Sequence, residues 1–89
     1  MQEGKLTIIN RLGLHARAAG KLVHIAKSFS SRITLTRESE EVDGKSIMAV
    51  MLLAAPVGTE VYLKVTGDDE QAAFEAVSAL INDRFGEED

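Results

Sequence analysis

Apolar positions along this chain recur with two different periods. In "KLTIIN", residues 5–10, Leu6 and Ile8 share one face of a β-branched stretch, which predicts a strand. From Ala16 to about Lys27, Ala19, Leu22, Val23 and Ala26 follow the i, i+3, i+4, i+7 spacing of an amphipathic helix. "RITLTR", residues 32–37, alternates Ile33 and Leu35 with Arg32, Thr34 and Thr36, which predicts a strand with one buried face. "ESEEVDGKS" reads as a turn, a short strand near Glu40–Val42, and a second turn at Asp43–Gly44. Ser46 can cap a short helix from Ile47 to about Leu53, which Pro56 and Gly58 terminate. "EVYLKV", residues 60–65, alternates again with Val61, Leu63 and Val65 inward. "TGDDEQ" opens a last helix, with Asp68 as its expected N-cap and Gln71 completing a pattern like a capping box. Ala73, Ala76, Val77, Leu80 and Ile81 form the apolar stripe of that helix.

The order is β-α-β-β-α-β-α. One-faced strands and amphipathic helices imply an α+β fold, an open-faced β-sandwich. Its four-stranded, mainly antiparallel sheet is covered on one face by three helices. No linker, repeat or low-complexity tract divides residues 1–89, so one domain with a single modest core is expected.

Composition removes several functions. Apolar residues make up 45% and charged residues 27%, an ordinary globular balance rather than that of a disordered chain. There is no cysteine, so disulfide, thiol-redox and cysteine-based zinc chemistry are excluded. Two histidines without clustered carboxylates make a poor metal site, and no metal or cofactor is expected. "MQEGKLTIIN" lacks the apolar core of a signal peptide. The longest apolar run, "IMAVMLLAAPV", is too short to span a bilayer and contains a proline. A cytoplasmic location without membrane insertion is therefore expected.

The net charge of −4 argues against general nucleic-acid binding, and its distribution is uneven. Residues 1–37 carry seven basic side chains and one acidic, whereas residues 38–89 carry three basic and thirteen acidic. Either the charges are merely unequally scattered, or a local basic surface around His15 attracts anions.

That surface draws attention to "GLHARAAGKL", residues 13–22. With His15 at the N-cap of the first helix, the amides of Ala16, Arg17 and Ala18 lack partners within the helix. The helix dipole adds partial positive charge there, and such ends bind phosphate. Arg17 contributes a planar guanidinium suited to phosphate oxygens. Small residues at 16, 18, 19 and 20 are expected to leave the end uncluttered. The field at this end favours the neutral imidazole, whose free lone pair makes a competent nucleophile. The alternative is that His15 is only a cap, although histidine is not among the favoured N-cap types. His24 has no evident constellation and reads as a surface histidine. "DGKS", residues 43–46, lacks the earlier glycine of a P-loop, so Ser46 reads first as a cap, and as a cap it could also accept a phosphate. The second helix is apolar nearly all round: either some of Ile47, Met48 and Met51 are exposed, where methionines suit partner binding, or it is a well-buried short helix.

"GLHARAA" followed by "DGKSIMAVMLLAA" resembles the histidine-containing phosphocarrier (HPr) family of the bacterial phosphoenolpyruvate-dependent phosphotransferase system. The similarity covers about residues 4–85, and "ALINDRFGEED" is similar to the nitrogen-related (NPr) branch. The resemblance implies that His15 accepts a phosphoryl group on Nδ1 from phosphorylated enzyme I and passes it to an enzyme IIA. It implies that Arg17 belongs to that site, and that Ser46 is where an HPr kinase/phosphorylase acts in some bacteria. It places the docking surface for both partners on Ala16, Arg17, Gly20, His24, Lys27, Ile47, Met48 and Met51. In one respect the chain departs from the family, carrying Ala18 where proline usually follows the arginine. Alanine is a strong helix former, so the helix should survive.

These readings favour a stoichiometric phosphocarrier, monomeric and not itself a turnover enzyme. The alternative is a regulatory interaction protein controlled through Ser46. An RNA-recognition module shares the β-α-β-β-α-β order but needs base-stacking aromatics, and this chain has one tyrosine and three phenylalanines.

Overall fold

The computed structural model describes residues 1–88. Its elements are β1 (Gln2–Thr7), α1 (Ala16–Lys27), β2 (Arg32–Arg37), β3 (Glu40–Asp43), α2 (Ile47–Leu52), β4 (Glu60–Thr66) and α3 (Glu70–Asn82). A short 3-10 turn at Arg84–Gly86 follows α3. The four strands form one antiparallel sheet in the order β1-β4-β2-β3. This is the open-faced α+β architecture that the alternation of residues implied.

The core follows the two periods. Val61, Leu63 and Val65 of β4 and Ile33 and Leu35 of β2 are buried on the helix side of the sheet. Against them pack Ala18, Ala19, Leu22, Val23 and Ala26 of α1 and Ala73, Val77 and Ile81 of α3. Within α3, Ala76 and Leu80 are only half-buried, so its stripe is narrower than expected. Val50 is the one buried residue of α2, which leaves most of that helix facing outward.

Three boundaries differ from the sequence reading. The first strand lies nearer the N-terminus, at Gln2–Thr7, because Asn10 turns the chain: its Nδ2 donates to the Gly13 carbonyl at 2.7 Å. Ile8 still packs in the core and exchanges backbone hydrogen bonds with Gly58 and Thr59. The N-cap of α3 is Asp69 rather than Asp68, and its side chain makes no capping bond. That carboxylate instead accepts the backbone N–H groups of Ser30 and Ser31 at 2.9 Å and the Ser31 hydroxyl, tying the β4–α3 turn to the α1–β2 turn. Glu70, not Gln71, reaches back to accept the Gly67 N–H at 3.1 Å. The third difference is the 3-10 turn, which the periodicity did not signal. α2 ends where Arg37 donates to the Leu53 and Ala54 carbonyls at 3.0 and 2.7 Å, and Ala54 adopts a left-handed conformation.

The Ser31 hydroxyl and the Ser30 and Ser31 amides hold the Asp69 carboxyl down at about 2, against an ordinary value of 3.8. A lowered carboxyl adds stability that is complete above its unfolded value and fades as pH falls through the folded one. Asp69→Asn should therefore be less stable than the parent near neutral pH. That deficit should vanish as pH falls from about 4 toward about 2, a window set by the shift to about 2 and checked by urea unfolding across pH.

Candidate functional site

Gly13 places the first helix. It has φ +68°, and an added Cβ would lie 2.7 Å from the Ala55 carbonyl oxygen, so any side chain would strike backbone there. Leu14 N–H donates to that same carbonyl at 2.8 Å. The next residue, His15, is extended with φ −76° and ψ 177°, and α1 starts behind it. His15 Nδ1 accepts the Arg17 N–H at 3.2 Å, and its carbonyl accepts the Ala19 N–H at 2.8 Å. The N–H groups of Ala16 and Ala18 have no hydrogen-bond partner among the described residues, so the helix end keeps unsatisfied donors beside the imidazole. The Arg17 guanidinium is exposed and unpaired among the described residues.

The other ring nitrogen meets a residue from the far end of the chain. His15 Nε2 lies against the Glu87 carboxylate. The second oxygen of Glu87 accepts Asn10 Nδ2 at 3.1 Å, and Asn10 is fully buried. Burial alone would raise the Glu87 carboxyl. The hydrogen bonds from Asn10 and His15, with the charges of His15 and Lys21, outweigh it and hold the carboxyl below its ordinary value. Arg11, Leu12, His15, Ala16, Arg17, Glu87 and Glu88 line an open cleft of about 480 Å³.

The surface continues along α1 and α2. Arg17, Gly20, Lys21, His24, Ile25 and Leu80 line a second, mostly apolar depression. Gly20 permits the approach of α2, since a Cβ there would touch Ile47 Cδ1 at 3.6 Å. Ile47 is 44% exposed, Met48 71% and Met51 43%. Ser46 caps α2, its Oγ accepting the Ala49 N–H at 3.3 Å. His24 and Lys27 are exposed further along α1, and at 1.5 Å per residue His24 sits about 14 Å along the axis from His15.

With this geometry in place, known proteins are informative. Residues 2–83 match the family model described as "PTS HPr component phosphorylation site". The chain belongs to the HPr phosphocarrier family. It is 52% identical over 87 residues to phosphocarrier protein HPr of Cupriavidus necator, covering 98% of each chain. Its structure is similar to HPr-C-His of Thermoanaerobacter tengcongensis, with TM-score 0.95, 43% identity and 99% of each chain covered. It is also similar to an HPr dimer from the same organism, with TM-score 0.79, 42% identity, and 98% of this chain and all of that chain covered.

The HPr fold sets Ala16 and Arg17 with His15 along one cleft and brings Ile47 against Gly20, while His24 and Lys27 lie further along α1. The small residues after His15 do two jobs rather than one. Ala16 is exposed, but Ala18 and Ala19 are fully buried, so their size serves helix packing and not a clear approach. α1 runs unbroken through Ala18, as the helix propensity of alanine implied. Leu52, 72% exposed, and Leu12, 63% exposed, are further apolar side chains open to solvent. Asn10 and Glu87 were missed by the sequence reading. Asn10 stands in a turn-like "NRLG", a weak signal, whereas nothing local marks Glu87.

No helix of the described residues is long and apolar enough to cross a membrane, and no group of three or more His, Asp or Glu among them could hold a metal ion. Gly13→Ala forces a left-handed residue against the Ala55 carbonyl. It should cost about 1–3 kcal/mol, as for other strained backbone positions, and lower the melting temperature measured by circular dichroism.

Proposed function

We propose that this HPr-family chain, as one cytoplasmic domain, accepts a phosphoryl group on His15 Nδ1 from phosphorylated enzyme I. It then delivers the group to an enzyme IIA. The observation that carries this reading is the position of Nδ1 among the first-turn amides of α1, beside the exposed Arg17 guanidinium. Donors and partial positive charge there can hold the phosphoryl oxygens, and Arg17 adds a charge-assisted fork. The side of α1 that carries exposed Ala16, His24 and Lys27 and half-buried Gly20, with Ile47, Met48 and Met51 of α2, is the docking face for both partners. It is an apolar patch with a basic rim, suited to partners that present apolar side chains framed by acids. The carrier acts stoichiometrically and as a monomer, without cofactor or nucleic acid.

A second reading has one observation in its favour. Ser46 Oγ caps α2 next to the exposed Ile47 and Met48, so phosphate placed there would alter the same docking face. In that reading an HPr kinase/phosphorylase modifies Ser46, and the protein acts chiefly as a regulatory partner.

Incubation with phosphoenolpyruvate and enzyme I should give one acid-labile phosphate per chain, absent in His15→Ala and passed on when an enzyme IIA is added. Sugar-linked and nitrogen-linked IIA proteins compared in parallel identify the acceptor branch. Label that survives in His15→Ala, or none in the parent, overturns the carrier reading. Acid-stable label from ATP and the kinase, lost in Ser46→Ala, would support the regulatory one.

A further inference from the structure

The helix-free face of the sheet carries a buried polar group with nothing to bond. On β2, Ile33 and Leu35 point into the core, so Thr34 between them points to the open face. Thr34 is nevertheless only 7% exposed, and its Oγ1 has no hydrogen-bond partner among the described residues. A buried hydroxyl left unbonded has lost its hydration and gained nothing, and valine would fill the same space without that cost. Thr34 forms part of the wall of a cleft of about 490 Å³, with Ser30, Arg32, Glu41, Asp43 and Lys45. Its size is that of a small-molecule site.

Strand register sets opposite charges around that hydroxyl. Asp43 of β3 is directly across from Thr34, and Glu41 is across from Thr36 in the next row of the same face. Arg32 precedes Thr34 on β2 and stands diagonal to Asp43, a spacing of about 7–8 Å that long side chains bridge. The side chains of Arg32 and Glu41 have no hydrogen-bond or ion-pair partner among the described residues. One oxygen of Asp43 accepts the Lys45 N–H at 2.9 Å, which leaves the other open. Lys45 Nζ donates to the Phe29 carbonyl at 2.7 Å and has further protons to give. Cations and carboxylates thus border the same cleft without pairing to one another.

The formal charges of Arg32, Lys45, Glu41 and Asp43 cancel. A lone anion there would meet Asp43 and Glu41, and a lone cation would meet Arg32 and Lys45. A ligand with both charges on neighbouring groups satisfies both sets. We propose that this cleft binds a free α-amino acid. The carboxylate takes the Arg32 guanidinium, which offers a two-pronged fork, and the ammonium takes Asp43 and Glu41. The Thr34 hydroxyl sits between them, able to donate to the carboxylate or accept from the ammonium, and so gains the partner it lacks. The turn from Asp43 to Lys45 leads directly into the α2 cap, where the Ser46 N–H donates to the Asp43 carbonyl at 3.1 Å. An occupant therefore touches the segment that presents Ser46. The cleft shares no residue with the one at His15, and the proposal does not depend on the carrier reading.

The test titrates glycine into the full chain labelled with ¹⁵N and follows the backbone amide shifts. Saturable changes should centre on residues 30–34 and 41–45, which border the cleft. The dissociation constant should be about 1–10 mM, weak because so small a ligand makes few contacts. Acetate and methylamine each carry one of the two charges and should bind at least about 10-fold more weakly, each lacking one charge-assisted hydrogen-bonding group. Thr34→Val should weaken glycine binding about 10-fold, the effect of losing one hydrogen bond to a charged group, and should raise the melting temperature by removing the orphaned hydroxyl. Arg32→Gln, at an exposed position, should weaken binding by a similar factor and leave stability nearly unchanged. Absence of saturable shifts at glycine concentrations well above that range would overturn the proposal, as would shifts centred on the His15 cleft. Acetate or methylamine binding as tightly as glycine would overturn the assignment to an amino acid. Unchanged glycine affinity in Thr34→Val would overturn it too, since that hydroxyl is what marks the cleft.

Discussion

The close approach of Gly13 to Ala55 is the contact on which the His15 end depends. A backbone carbonyl sits where a side chain would be, and the Leu14 N–H donates to that carbonyl. Glycine is the residue that can both vacate that space and adopt φ +68° without strain. The pinch fixes where α1 begins, and therefore which residue stands in front of its first-turn amides. Moved one residue along, the imidazole would fall inside the helix, and the helix end would have no ring to cap it.

The two sides of α1 answer to different demands. Its inner side is made of Ala18, Ala19, Leu22, Val23 and Ala26, small enough at the start for the helix to sit close on its neighbours. Its outer side carries Arg17, Lys21, His24 and Lys27. Gly20 lies between the two and lets Ile47 close against the helix, which merges α1 and α2 into one apolar surface with a basic rim. Burying Ile47, Met48, Met51 and Leu52 would be favourable, and the isolated chain leaves them in water. That cost is consistent with a surface used in association, and the family to which the chain belongs fits it.

The sheet, the three helices and their order could be read from residue spacing because burial on one side of a strand or helix imposes its own period. The caps at His15 and Ser46 could be read too, since a cap is a local feature with its residue next to the amides it serves. The misplacements occurred where a distant group competed for a local one. Asp69 looked like an interior residue behind an Asp68 cap, yet its carboxylate is occupied by Ser30 and Ser31 on another turn. Ile9 looked like strand, yet Asn10 drew the chain out of the sheet by bonding to Gly13. The uneven charge left open a basic surface around His15, yet the acidic tail returns Glu87 and Glu88 to the same cleft.

By itself, the sequence determined the α+β architecture, the helix end with His15 and Arg17, and the Met-bearing helix that Ser46 caps. These are consequences of periodicity and short-range chemistry, and short range is what a linear pattern records. The tertiary structure alone decided the setting of the imidazole: a buried asparagine on one side, a carboxylate from the opposite end of the chain, and a helix amide on the other nitrogen. Such a contact needs Phe85 seated in the core before Glu87 can reach His15. The free energy that seats it comes from packing many distant residues together, and no local stretch of sequence carries it.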